Sequence, residues 1–166
     1  MRNKLLFGIP AMIILIFFDQ FTKFLAVKYL KGLPNGKSIL GTILKIQYLE
    51  NRGAAFGLLQ NKLVFFYIFS ILFLFLFTFL YLKLPVEKRF LPINVLLIFF
   101  ISGAIGNLID RVRLKYVIDF IYVSIINFPI FNVADIYVTC SCIVFFLLVV
   151  FYYKEEDFNK IKLFKR

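Results

Sequence analysis

Nine acidic residues are spread over 166 positions, and where they fall decides what chemistry the chain can carry. Glu87, Glu155, Glu156 and Asp157 stand among lysines and read as solvated charge pairs. Glu50 closes an alternating stretch and reads as surface. The other four are all aspartates, Asp19, Asp110, Asp119 and Asp135, each near the end of a long apolar block or in the connection between two blocks. Ionisable groups beside such blocks are costly to desolvate, so they pair, face an interior and mark function. Asp119 lies within Val117-Ile118-Asp119-Phe120-Ile121 and Asp135 follows Asn132-Val133-Ala134, neither beside a cation. Desolvation raises the proton affinity of both. If the two face each other, repulsion makes one keep a proton while the other stays anionic, an acid and a base from identical side chains. Such a pair can activate water for amide hydrolysis. The residues alone leave two alternatives open, ion transport through protonatable carboxylates and a purely structural role.

Other polar residues lie within reach of this chemistry. Asp19 and Lys23 are four apart, a spacing that puts them on one helical face and serves a structural ion pair equally well. Asp110 is followed by Arg111, Arg113 and Lys115, so a neighbouring cation is at hand and an architectural, ionised role fits it. In Asn51-Arg52-Gly53-Ala54-Ala55-Phe56-Gly57 a polar start precedes small residues. That pattern makes either a plain turn into the next apolar block or a place where a peptide backbone approaches closely while Asn51 offers its amide. Gly103-Ala104-Ile105-Gly106 is best explained by tight helix packing.

Several chemistries are excluded. The chain has no histidine, which removes Ser-His-Asp and Cys-His nucleophiles and His-ligated zinc. Cys140 and Cys142, two apart in an apolar run, point to different sides of a helix and read as packing residues, so no metal or other cofactor is expected. Ser102 and Ser124 have no lysine placed to activate them, which disfavours Ser-Lys catalysis.

The elements that must position these residues follow from composition. With 62% hydrophobic residues, 17% charged residues and a mean hydropathy of +0.90, the chain belongs in a bilayer. Four apolar blocks, approximately 5–29, 63–84, 91–109 and 136–153, are each long enough to cross the roughly 30 Å hydrocarbon layer as a helix. A single all-α membrane domain over 1–166 is expected, with no cleaved leader, since no small-x-small site follows the first block. The net charge of +11 does not imply nucleic acid, because the basic residues cluster at block ends, where they snorkel to lipid headgroups. Half of them lie in the short termini and in or just before the tight turn Pro85 to Arg89, Lys83 included, which places both termini in the cytoplasm. The connections at about 31–62 and 111–135 then face outward. Alternation from Ile43 to Leu49 suits a small surface sheet in the first. A small ion-coupled carrier is the competing reading, against which stand the absence of a repeat and the gathering of the carboxylates at one membrane edge.

Taken together, the chain resembles the signal peptidase II family, the lipoprotein signal peptidases. Five blocks in order carry the likeness: Asp19-Gln20-Phe21-Thr22-Lys23; Asn51 to Gly57; Gly103 to Arg111, reading GAIGNLIDR; Val117-Ile118-Asp119-Phe120; and Phe131-Asn132-Val133-Ala134-Asp135. The resemblance implies four transmembrane helices with a small extracytoplasmic sheet and a surface helix covering a groove open to lipid. It implies an aspartic endopeptidase of the bacterial inner membrane that cuts diacylglyceryl-modified prolipoproteins just before the lipidated cysteine, as a monomer whose partners are those substrates and membrane lipid. By residue-to-residue match it puts the catalytic pair on Asp119 and Asp135, with Asp110 the second candidate. Substrate-binding or supporting roles fall on Asp19, Lys23, Asn51, Arg52, Gly53, Asn107, Asp110, Arg111, Asn132 and Ala134. Two positions depart from the family pattern: Lys115, where glycine is common, and Ile136, where a small or hydroxyl residue is usual. They put the turn before Asp119 and the packing beside Asp135 in question.

Overall fold

The computed structural model describes residues 2–53, 59 and 62–161. Four of its helices are long and apolar enough to cross a membrane: α1 (Arg2–Leu30), α2 (Leu63–Lys83), α3 (Leu91–Leu114) and α4 (Val133–Leu147), the last prolonged by a π turn over Leu148–Tyr152. A short helix, α5 (Glu155–Lys160), follows. In lipid the backbone must satisfy its own hydrogen bonds, so runs such as Phe65 to Leu82 can only be helical. Pro92 sits at the start of α3, where its missing N–H costs nothing.

Three strands, β1 (Lys37–Leu40), β2 (Leu44–Asn51) and β3 (Val117–Val123), form one antiparallel sheet in that order. The alternation seen in the sequence is β2. The strand β3 was not expected, since the sheet was assigned to the first connection alone; it pairs with β2 through Leu49 opposite Asp119 and Asn51 opposite Val117. The expected surface helix has no counterpart among the described residues of the first connection, where 54–58, 60 and 61 lie outside them. Ala54 to Gly57 of the small-residue motif therefore also lie outside the described residues.

Helix α3 is the centre of the bundle, packing against α1, α2 and α4. Its small residues make this close approach possible. A Cβ at Gly103 would sit 2.6 Å from the Ala134 carbonyl oxygen, and one at Gly106 would sit 2.5 Å from Asp19 Oδ2. Helices α2 and α4 flank α3 without packing closely on each other, and the gap between them is a cavity of about 900 Å³. It runs along α3 from Phe90 to Arg111, about 30 Å at 1.5 Å per residue. Apolar side chains such as Phe73, Phe77, Phe100 and Phe145 line it, and Asn107, Arg111 and Asp135 lie at one end.

At the other end the chain departs from expectation. Asp157 is not a solvated charge: it is buried and pairs with Arg89 of the α2–α3 turn at 2.7 Å, which holds its carboxyl below the usual carboxylate range. Cys140 and Cys142 are exposed on α4 rather than packed in a core, because α4 buries only a narrow stripe on α3.

Candidate active site

Asp119 and Asp135 belong to one hydrogen-bonded network, although they sit on different kinds of element. Asp119 is on β3, not on a membrane helix, and is 1% exposed. Asp135 is in the first turn of α4, where it forms a capping box with Asn132: Asp135 N–H donates to Asn132 Oδ1 at 3.0 Å and Asn132 N–H donates to Asp135 Oδ2 at 3.2 Å. This box starts α4 at Val133, three residues before the apolar block suggested. Asn132 Nδ2 donates to Asp119 Oδ1 at 2.7 Å and to Asn107 Oδ1 at 3.1 Å, and Asn107 Nδ2 donates to Asp135 Oδ1 at 2.8 Å. Asn132 thus touches both acids, and Asn107 links its side chain to Asp135.

Asn51 completes the grip on Asp119, donating to its Oδ2 at 2.8 Å. The sheet register explains the reach: Leu49 is opposite Asp119, so Asn51, two residues on, is its diagonal neighbour on the same face. Asn51 Oδ1 in turn accepts from Gly53 N–H at 2.9 Å. Burial, followed by the charge of Asp135, pushes the Asp119 carboxyl up to about 7, against opposition from the two amide donors and Lys23. The charged groups acting on Asp119 are Asp135 from α4, Lys23 from α1 and Arg111 from α3.

Beneath this pair lies a second layer, built around a buried lysine between two carboxylates. Lys23 is 1% exposed and its Nζ lies 2.9 Å from Asp19 Oδ2, 2.9 Å from Asp110 Oδ2 and 2.9 Å from Asn107 Oδ1. The cation that meets Asp110 therefore comes from α1, not from Arg111, Arg113 or Lys115. Adjacent helical residues point about 100° apart, so Arg111 faces the cavity while Asp110 faces α1. Each buried aspartate also ties down a backbone: Asp19 Oδ1 accepts Ala134 N–H at 2.9 Å and Asp110 Oδ2 accepts Ile118 N–H at 3.2 Å.

The remaining sequence candidates are less central. Arg111 lies with its guanidinium 4.7 Å from the centre of the Phe66 ring, at the mouth of the cavity. Arg52 is exposed and turns to Glu50 at 3.6 Å, away from the acids. Ile136 is exposed and does not pack beside Asp135. Lys115 ends α3 with φ 70°, the left-handed conformation that glycine adopts freely. Sequence reasoning missed Gln20, whose amide reaches both Asp19 and Asp110, and Tyr67, whose hydroxyl donates to the Arg111 carbonyl at 2.7 Å.

Known proteins resemble this chain over most of its length. Residues 11–151 match the family described as signal peptidase (SPase) II. A lipoprotein signal peptidase of Caldanaerobacter subterraneus subsp. tengcongensis is 44% identical over 138 residues, covering 82% of this chain and 90% of that protein. One from Streptococcus pyogenes is 40% identical over 149 residues, covering 90% and 94%. A solved structure described as a bacterial membrane enzyme superposes with a TM-score of 0.77 at 30% identity, covering 89% of this chain and 92% of that one. With four apolar helices of membrane-spanning length around a shared pair of aspartates, this chain is a multi-pass bacterial membrane peptidase belonging to the signal peptidase II family.

Proposed function

We propose that this chain is an aspartic endopeptidase that removes the signal peptide from diacylglyceryl-modified prolipoproteins, cutting just before the lipidated cysteine. The observation that carries the reading is the single network in which Asn132 reaches both Asp119 and Asp135, and Asn107 joins Asn132 to Asp135, at one end of an apolar cavity.

In this mechanism Asp135 takes a proton from a water molecule as the water attacks the scissile carbonyl. Asp119, whose carboxyl is raised to about 7 so that its protonated form is well populated at neutral pH, is the acid; it hydrogen-bonds the carbonyl oxygen and then protonates the leaving amine. Asn51, Asn107 and Asn132 keep the two carboxyls in register so that little is reorganised during reaction. The cavity between α2 and α4 receives the apolar stretch of the signal peptide as a helix, its 30 Å length (about 20 residues at 1.5 Å each) matching a membrane crossing. The diacylglyceryl chains remain in lipid, and Arg111 at the mouth faces the polar backbone near the cut.

The whole chain acts as one membrane-embedded domain and as a monomer, with both termini in the cytoplasm and the acids at the outer face, the orientation favoured by the basic termini and the Pro85–Arg89 turn. A gel-shift assay with purified protein in detergent tests the substrate class. A prolipoprotein carrying the diacylglyceryl group is expected to be cut and the same precursor without it to persist; equal cutting of both contradicts the assignment.

A further inference from the structure

Gln20 has no part in the mechanism above, yet its position is specific. Its Nε2 donates to Asp19 Oδ2 at 3.1 Å, to Asp110 Oδ1 at 3.0 Å and to the Gly106 carbonyl at 3.2 Å. Among the described residues no other donor reaches Asp110 Oδ1. Asp19 receives the N–H of Ala134, the residue immediately before Asp135, and Asp110 receives the N–H of Ile118, the residue immediately before Asp119. The two buried carboxylates therefore grip the two backbones one residue away from each member of the acid pair. Among the described residues, two side chains join one grip to the other, Lys23 and Gln20. Lys23 is one cation set between two buried carboxylates, and it reaches Oδ2 of each, which leaves the remaining carboxylate oxygens to other donors.

We propose that Gln20 is a positioning residue of the acid pair: by bridging Asp19 and Asp110 it sets the separation of the β3 and α4 backbones, and hence of Asp119 and Asp135. The inference rests on the dyad reading given above. Gln20 contacts neither catalytic carboxyl; it acts through Ala134 and Ile118. An amide suits the task because it is neutral, so it adds donors without a second cation that would draw the proton from Asp119.

The test compares wild type with Gln20→Met, which keeps length and loses the donor, and Gln20→Glu, which keeps shape and places a third carboxyl against the other two. Cleavage of diacylglyceryl-modified prolipoprotein is followed from pH 5 to pH 9, with thermal unfolding in the same detergent. In Gln20→Met, kcat is expected to fall about tenfold at little-changed KM, the loss of hydrogen bonds to charged groups. The alkaline limb of its kcat profile is expected to move to lower pH, because a looser pair repels less and holds its proton less tightly. Gln20→Glu should lose more than Gln20→Met. Should Gln20→Met not fold, Gln20→Asn, whose shorter amide reaches one carboxylate, gives the same pH shift at smaller size. A wild-type kcat and pH profile overturn the proposal, as does a lower active fraction with an unmoved profile, which would make Gln20 a folding residue only. Asp119→Asn run alongside separates the two readings: its full activity would sink the dyad, whereas its inactivity beside an unaffected Gln20→Met would sink only the role of Gln20.

Discussion

Asn132 donates its side-chain amide to Asp119 at 2.7 Å while its backbone N–H donates to Asp135, so one residue touches both acids and caps the helix that carries one of them. These duties can be separated. Asn132→Asp keeps an acceptor for the cap but replaces the amide donor with a carboxyl facing Asp119. It is expected to fold with a melting temperature near that of wild type and to lose at least about a hundredfold in kcat. Asn132→Ala loses both functions and should in addition be destabilised by about 1 kcal/mol, the cost of an N-cap. Thermal unfolding and cleavage rate measured on the same preparations check this.

Lys23 is predicted to be a stability residue first. Removing it in Lys23→Met leaves Asp19 and Asp110 buried without their cation, an expected cost of about 3–5 kcal/mol. The combination Lys23→Met with Asp19→Asn and Asp110→Asn removes all three charges and should recover much of that loss. Folded yield and denaturation midpoint in detergent report it, and a triple variant no more stable than Lys23→Met would contradict the electrostatic account.

Lys115→Gly is predicted to stabilise the protein. Lys115 is held at φ 70° to close α3, its N–H bonded to the Arg111 carbonyl, and a side chain pays a steric penalty there that glycine does not. The gain is expected to be about 1 kcal/mol, seen as a higher melting temperature, with cleavage unchanged because the turn keeps its shape.

The raised proton affinity of Asp119 makes stability depend on pH. Its carboxyl goes from an ordinary 3.8 to about 7 on folding, so between those values the folded protein binds a proton that the unfolded chain has released. Stability from this group is therefore full below about pH 4 and is lost as pH rises to about 7. Asp119→Asn has no such proton to lose. Between pH 4 and pH 8 the melting temperature of wild type should fall relative to that of the variant; a constant difference would mean that Asp119 is not raised.

The sequence made part of this site legible for definable reasons. Asp19 and Lys23 are one helical turn apart, so their pairing is local, and Asp119 and Asp135 stand out as carboxylates in apolar surroundings. Contacts across the bundle have no such signature: the capture of Asp110 by Lys23 needs α1 packed on α3 through Gly106, and Gln20 gains its meaning only there. The strand carrying Asp119 escaped notice because Val117 to Phe120 are buried throughout, which erases the alternation by which a half-exposed strand is read. Arg111 misled as a neighbour of Asp110, since adjacency along a helix is divergence in space.

The shared role of Asp119 and Asp135 is tested most directly by cleavage of a diacylglyceryl-modified prolipoprotein by Asp119→Asn and Asp135→Asn, each shown to be folded by circular dichroism. Single-turnover cleavage is expected to drop by at least about a thousandfold in both, with the double variant no worse than either, as for groups that act as a unit. Processing by either variant at a rate near wild type would contradict the account.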